Sequence, residues 1–182
     1  MTIIAEFVHL DGTRVTEKII GVGGTGILIQ QGQRALKIPR LSRDIGNDGF
    51  GLPLVIIDES STPKEGDYDI RADLLLSLEH EKAIDRRLGN HHGIVRCHNL
   101  SSTSMSTSFT STSTDHSIMM DLMANGDLRH YLAEFPRPDS NQILSWLTTM
   151  AQTLTYIHDR RVIVADIRLD NLLVDENLAS LC

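Results

Sequence analysis

The order of hydrophobic patterns predicts an α+β fold in which strands come first and helices second. Short β runs bounded by glycine fill the first 38 residues, while helical periodicity appears only later, at 70–88 and again at about 141–159. Strands gathered ahead of helices favour an antiparallel sheet with a helical portion after it, rather than alternating strand and helix units.

Each element has a local reason. Phe7-Val8-His9-Leu10 breaks at Asp11-Gly12, and Arg14 to Ile20 alternates up to a glycine cluster. Gly26-Ile27-Leu28-Ile29-Gln30 then leads through a Gln31-Gly32 turn into Arg34-Ala35-Leu36-Lys37-Ile38. Such runs imply an antiparallel meander. From Pro39 to about Asp69 glycines and prolines punctuate the chain, leaving Leu54-Val55-Ile56-Ile57 as the single plausible strand in a long surface insertion.

Over residues 70–88, Leu74, Leu78, Ile84 and Leu88 share one helical face and Glu81 falls in the middle of it, whereas Glu79 points away. His91 to Cys97 reads as a further strand. Thirteen of the 17 residues from Ser101 to Ser117 are Ser or Thr, a composition that predicts a mobile hairpin loop. Ile118 to Met123 reads as a buried strand ended by Ala124-Asn125-Gly126, and Asp127 to Leu132 as a short helix. The clearest helix runs from about Asn141 to Asp159, with Ile143, Leu147, Met150, Leu154 and Ile157 as its stripe and Asp139 with Gln142 as its cap.

Composition narrows the function. A net charge of −7 advertises no basic face, which argues against a nucleic-acid partner. No apolar run approaches the roughly 20 residues a membrane helix needs, and the first residues lack a signal-peptide pattern. Cys97 and Cys182 have no zinc-like spacing and read as ordinary thiols. The expected location is cytoplasmic, with the nucleus left open.

Three constellations carry chemistry. Gly21-Val22-Gly23-Gly24-Thr25-Gly26 fits Gly-x-Gly-x-x-Gly, a pattern that binds a dinucleotide only where a helix follows at once. Here a strand follows, so the glycines form the tip of a hairpin that can fold over a triphosphate. Lys37 lies on an apolar strand and needs an anion, while Glu81 lies on an apolar helix face and needs a cation. Finally, Asp166, Arg168 and Asn171 combine a base, a cation and an amide oxygen within six residues of chain.

Together these resemble the eukaryotic protein kinases. Ala35-Leu36-Lys37 is similar to Val-Ala-Ile-Lys, and Asp166-Ile167-Arg168-Leu169-Asp170-Asn171 to the Asp-x-(Lys/Arg)-x-x-Asn spacing of the catalytic loop. Met119 to Leu128 resembles the hinge. The resemblance implies an antiparallel sheet lobe with one long helix and the start of a helical lobe, divided at 1–123 and 124–182. It implies ATP and Mg²⁺ as cofactors. Gly21, Val22, Gly23, Gly26, Lys37, Glu81, Asp121, Met123 and Asp127 would bind ATP, with backbone groups of Asp121 and Met123 on adenine, Asp127 toward the ribose and Met120 as gatekeeper. Asp166 would accept the hydroxyl proton, Arg168 would steady the phosphate and Asn171 would hold metal.

Departures qualify this. Val164 and Ala165 stand where the family has His and Arg, Leu169 where Pro is common, and the stretch from Lys37 to Glu81 is long. The 182 residues contain no Asp-Phe-Gly, the source of the principal metal carboxylate. The expectation is therefore an incomplete domain. It would be a Ser/Thr phosphotransferase in a full-length form, with ATP and a protein substrate or binding partner. The alternative is a catalytically inactive pseudokinase that binds nucleotide or protein.

Overall fold

The computed structural model describes residues 5–44, 70–100 and 116–175. The chain divides into two compact units, one of Met1–Ala83 with His98–Met120 and the other of Ile84–Cys97 with Asp121–Cys182. The strand expected at Leu54–Ile57 and the Ser/Thr stretch up to 115 lie outside the described residues. No helix among the described residues is long and apolar enough to cross a membrane.

In the first unit β2 (Ile19–Val22), β3 (Gly26–Gln31), β4 (Arg34–Pro39) and β6 (Ile118–Asp121) form one sheet in the order β2-β3-β4-β6. β3 and β4 pair antiparallel, with Ile27 opposite Ile38 and Leu28 opposite Lys37, across a turn where Gly32 takes φ +60°. This register puts Ile27, Ile29, Leu36 and Ile38 into a core with Val15, onto which Phe7 and Met119 pack. The alternation is the one that a half-buried strand requires.

Three expectations need correction. β1 (Ala5–Val8) does not continue the meander; it pairs antiparallel with a strand at Leu41–Asp44, β5, inside the stretch expected to be irregular. Val8 and Leu41, opposite one another, are both buried, so apolar contact across distant chain outweighs the weak local signal. The strand expected over His91–Cys97 shrinks to backbone bonds on either side of Cys97: the Asp121 N–H donates to the Arg96 carbonyl at 3.0 Å and the His98 N–H to the Met119 carbonyl at 2.8 Å. Ser117, part of the stretch expected not to pack, is buried. The Asn99 amide donates to its carbonyl at 2.9 Å.

The helix α1 spans Ile70–Leu88, as the periodicity predicts, with Asp73 in its first turn, Arg86 and Arg87 in its last, and Gly89 at φ +65° stopping it. Leu78 and Leu88 are buried, and Leu74 and Ile84 half-buried. Lys82 is a residue the sequence reading passes over. It is only 1% exposed, and its ammonium meets Glu79, one turn back, at 2.8 Å. Glu79 therefore supplies a counter-charge for a buried lysine.

In the second unit α2 (Leu128–Glu134) and α3 (Ser140–Asp159) are capped by Asp127 and Asp139, whose carboxylates accept the backbone N–H of His130 and Gln142, each at 2.8 Å. Leu128, Tyr131, Trp146 and Val174 form the core, with the Tyr131 ring edge-on to Trp146. The buried line on α3 is Trp146, Thr153 and Ile157, with Met150 half-buried. Ile143, Leu144 and Leu147 are exposed, so the packed face is rotated from the expected stripe. The helix is apolar on more than one side, and Trp146 selects the side that packs.

The start of the 84–97 segment is docked on α3. Tyr156 Oη donates to the Leu88 carbonyl at 2.6 Å, its ring stacks with His91, and the Arg160 guanidinium lies over it. Gly93 is required here because a Cβ would sit 1.7 Å from Thr153 Oγ1.

The Gly93 N–H donates to His91 Nδ1 at 3.1 Å, so this nitrogen must be unprotonated. Burial, and then the charges of His92 and Arg160, hold the His91 pKa below the ordinary histidine value. The unfolded chain takes up this proton near pH 6.5, and the folded chain only at lower pH. The contribution of His91 is thus fully present above about pH 6.5 and is lost as pH falls from there toward the folded pKa. Thermal melts between pH 8 and 5 should show this loss, and His91→Gln should flatten it. An unaltered pH slope in that variant would contradict the assignment.

Candidate functional site

The glycine hairpin belongs to the first unit. Gly21 and Val22 end β2, Gly26 begins β3, and the Gly23 N–H donates to the Gly26 carbonyl at 2.8 Å to close the tip. A register shift between Ile19 and Gly21 bends β2 just before the turn. Gly26 is needed for a reason specific to this chain. A Cβ there would meet Lys37 Cε at 2.9 Å and the Ile38 carbonyl at 3.0 Å. The register explains why: Gly26 faces Pro39, which makes Lys37 its diagonal neighbour across the strands. The absent side chain is the groove in which the lysine stem lies.

That groove delivers Lys37 to α1. Its Nζ lies 2.6 Å from both Oε1 and Oε2 of Glu81, with the two side chains 24% and 35% exposed. One ammonium facing both oxygens is a charge-assisted contact with fixed geometry, in a setting drier than an ordinary surface pair. The structure thus brings together the two residues whose isolated charges were unbalanced in sequence. Arg40, which sequence reasoning passed over, donates from Nη1 to the Gly23 carbonyl at 3.1 Å and from its backbone N–H to the Thr25 carbonyl at 3.0 Å.

The remaining expected residues are in the second unit. Asp121 ends β6 and donates its N–H to Arg96. The Met123 carbonyl accepts the Gly126 N–H at 3.1 Å, closing a turn that Gly126 permits at φ +65°. Asp127 has a structural duty the sequence did not disclose, since Oδ1 caps α2; a carboxylate retains a second oxygen.

Asp166, Arg168 and Asn171 converge. Arg168 Nε is 2.9 Å from Asp166 Oδ1, and Asn171 Nδ2 donates to the Asp166 carbonyl at 3.0 Å and to Oδ2 at 3.1 Å. A 3₁₀ turn at Leu169–Asn171 folds the asparagine back onto the aspartate. Both bonds use the amide nitrogen, so Asn171 Oδ1 is the acceptor left over. The loop is braced from behind by backbone bonds joining Leu128 to Leu172 at 2.7 Å and Val174 to Gly126 at 2.9 Å, with Val174 fully buried. Asp166 and Arg168 are 60% and 58% exposed, so water and a substrate can reach the carboxylate. Among the described residues no group of three or more His, Cys, Asp or Glu could hold a metal.

A cation held by a carboxylate is suited to meeting phosphate oxygens, and an exposed aspartate flanked by a guanidinium and an amide is suited to accepting a proton. The protein kinase domain family matches residues 67–181, more than half of the chain. The chain belongs to the protein kinase family. The α+β arrangement of antiparallel sheet and helices is the one that membership implies. A relative from Oryza sativa subsp. japonica, "Probable serine/threonine-protein kinase WNK8", is 33% identical over 58 residues, which is 32% of this chain and 9% of that protein. The family match takes in Glu81 and the Asp166–Asn171 loop. It starts after the glycine hairpin and Lys37.

The Gly26 groove yields a direct check. Gly26→Ala should destabilise the first unit by about 1–3 kcal/mol, because a methyl there must push on the Lys37 stem and a strand carbonyl. Chemical denaturation measures this. A change below about 0.5 kcal/mol, the size of an ordinary surface substitution, would mean that the lysine does not lie in the groove.

Proposed function

We propose that this kinase-family chain binds ATP with Mg²⁺, and that in its complete form it transfers the γ-phosphate to a Ser or Thr hydroxyl of a protein. The observation that carries the reading is the Lys37–Glu81 pair, in which a carboxylate clamps a lysine beside a glycine hairpin. A lysine held this way has a defined position and can meet phosphate oxygens without first losing rotamer freedom. Among the described residues neither Gly24 nor Thr25 spends its N–H on a backbone carbonyl, so both remain for anionic oxygens. The backbone of Asp121 and Met123 would take the adenine edge, Asp127 Oδ2 the ribose, and Gly21, Val22, Gly23 and Gly26 would cover the phosphates.

On the transfer side, Asp166 is the base. The arriving hydroxyl would hydrogen-bond to its carboxylate, Asn171 and Arg168 hold that carboxylate in place, and the Arg168 cation is also available to the phosphate being moved. The protein oxygen these residues offer to Mg²⁺ is Asn171 Oδ1, which suits an ion that arrives on the triphosphate and draws most of its ligands from it. When bound, that ion neutralises charge on the phosphate oxygens.

A second reading is a nucleotide- or protein-binding module without turnover. Val164 and Ala165 favour it, because the catalytic loop lacks the His and Arg that brace it elsewhere in the family, and Ala165 is exposed rather than packed.

Titration with a fluorescent ATP analogue, alongside radiolabelled phosphate transfer to a generic protein acceptor, separates the two. Lys37→Ala should weaken binding at least about tenfold, equivalent to roughly 1.4 kcal/mol. Asp166→Asn should leave binding within about twofold and abolish any transfer. Binding without transfer would favour the module. Binding by the wild type that Lys37→Ala leaves untouched would overturn the proposed site.

A further inference from the structure

The tip of the glycine hairpin is tethered by a residue with no assigned role. Arg40 follows β4 directly, three positions after Lys37, and is itself exposed. Its neighbours are not: Pro39 is buried, and Leu41, 3% exposed, opens β5. The Arg40 backbone is therefore set between two anchored residues, where β4 leaves one sheet and β5 joins β1 in another. From this base it makes two bonds to the tip, backbone N–H to the Thr25 carbonyl and Nη1 to the Gly23 carbonyl.

A three-residue glycine-rich tip is otherwise held by a single described bond, Gly23 N–H to Gly26. Gly23 and Gly24 are also exposed and have no side chains to pack, so entropy favours opening. The guanidinium acts against that opening. It ties up a carbonyl of the tip, which would repel phosphate, and brings a positive charge to the same place.

We infer that Arg40 is a positioning residue that holds the glycine hairpin in its phosphate-binding shape, and that it acts on the phosphate part of the nucleotide and not on the adenosine part. This rests on the ATP reading above and adds to it a determinant outside the glycine motif. The link runs through a carbonyl of the tip, so removing the guanidinium frees the loop without altering Lys37 or Glu81.

The test compares wild type, Arg40→Ala and Arg40→Lys in the 182-residue chain, by two measurements. The first is hydrogen exchange at the Gly23 amide without ligand. The second is affinity for ATP and for adenosine. A lost charge-assisted bond at an exposed site should weaken ATP binding by about five- to tenfold in Arg40→Ala, while adenosine stays within about twofold. Gly23 exchange should rise several-fold, and Arg40→Lys, which keeps a cation, should recover part of both effects. Unchanged Gly23 exchange in Arg40→Ala would overturn the inference, as would an equal loss for ATP and adenosine. If the wild type binds adenosine and ATP equally weakly, the nucleotide reading itself fails, and the phosphate role of Arg40 fails with it whatever the exchange shows.

Discussion

A lysine on a strand and a glutamate on a helix each carry a charge that partial burial makes costlier to leave unpaired than it would be on the surface. The contact at 2.6 Å between Lys37 and both oxygens of Glu81 resolves this, and much of the first unit serves the contact. The β3–β4 register places Gly26 diagonally from the lysine so that its stem has a path. The half-buried stripe of α1 turns Glu81 inward, and the contact of buried Lys82 with the more exposed Glu79 adds a second charge constraint on the rotation of the helix. Such a pair adds little to stability once desolvation is counted. Its value is positional: the ammonium is pointed in one direction before any ligand arrives.

The second unit follows the same logic in a more solvent-exposed setting. Asp166 is exposed and would be free to wander, yet three contacts with its neighbours restrain it: one from Arg168 Nε and two from Asn171 Nδ2. Behind the loop, Val174 is sealed into the aromatic core of Tyr131 and Trp146. A rigid base beneath an exposed carboxylate suits a group that must meet a substrate with little reorganisation.

Local chemistry was legible in the sequence where one element decides its own fate. The limits of α1, the cap Asp139, and the turns at Gly32 and Gly126 follow from periodicity and backbone permissiveness alone. So did the need of Glu81 for a cation, since a wheel exposes a misplaced charge. What escaped depends on distant chain. β5 exists because β1 covers it, and Lys82 is buried although the sequence reading passes over it. On α3 several faces are apolar, so counting spacings chose Ile143 and Leu147, whereas the bulk of Trp146 decided the packing. Arg40 gave no signal, because an arginine reaching a carbonyl 17 residues away leaves no local mark.

The central claim is that Glu81 acts on nucleotide through Lys37, and a double-mutant cycle tests it most directly. ATP affinity would be measured for wild type, Lys37→Met, Glu81→Gln and the double variant. If the carboxylate works by aiming the ammonium, Glu81→Gln weakens binding severalfold when Lys37 is present and has almost no effect when Lys37 is already methionine. Equal losses in both backgrounds would contradict the account, since they would mean that Glu81 contributes independently of the lysine it touches.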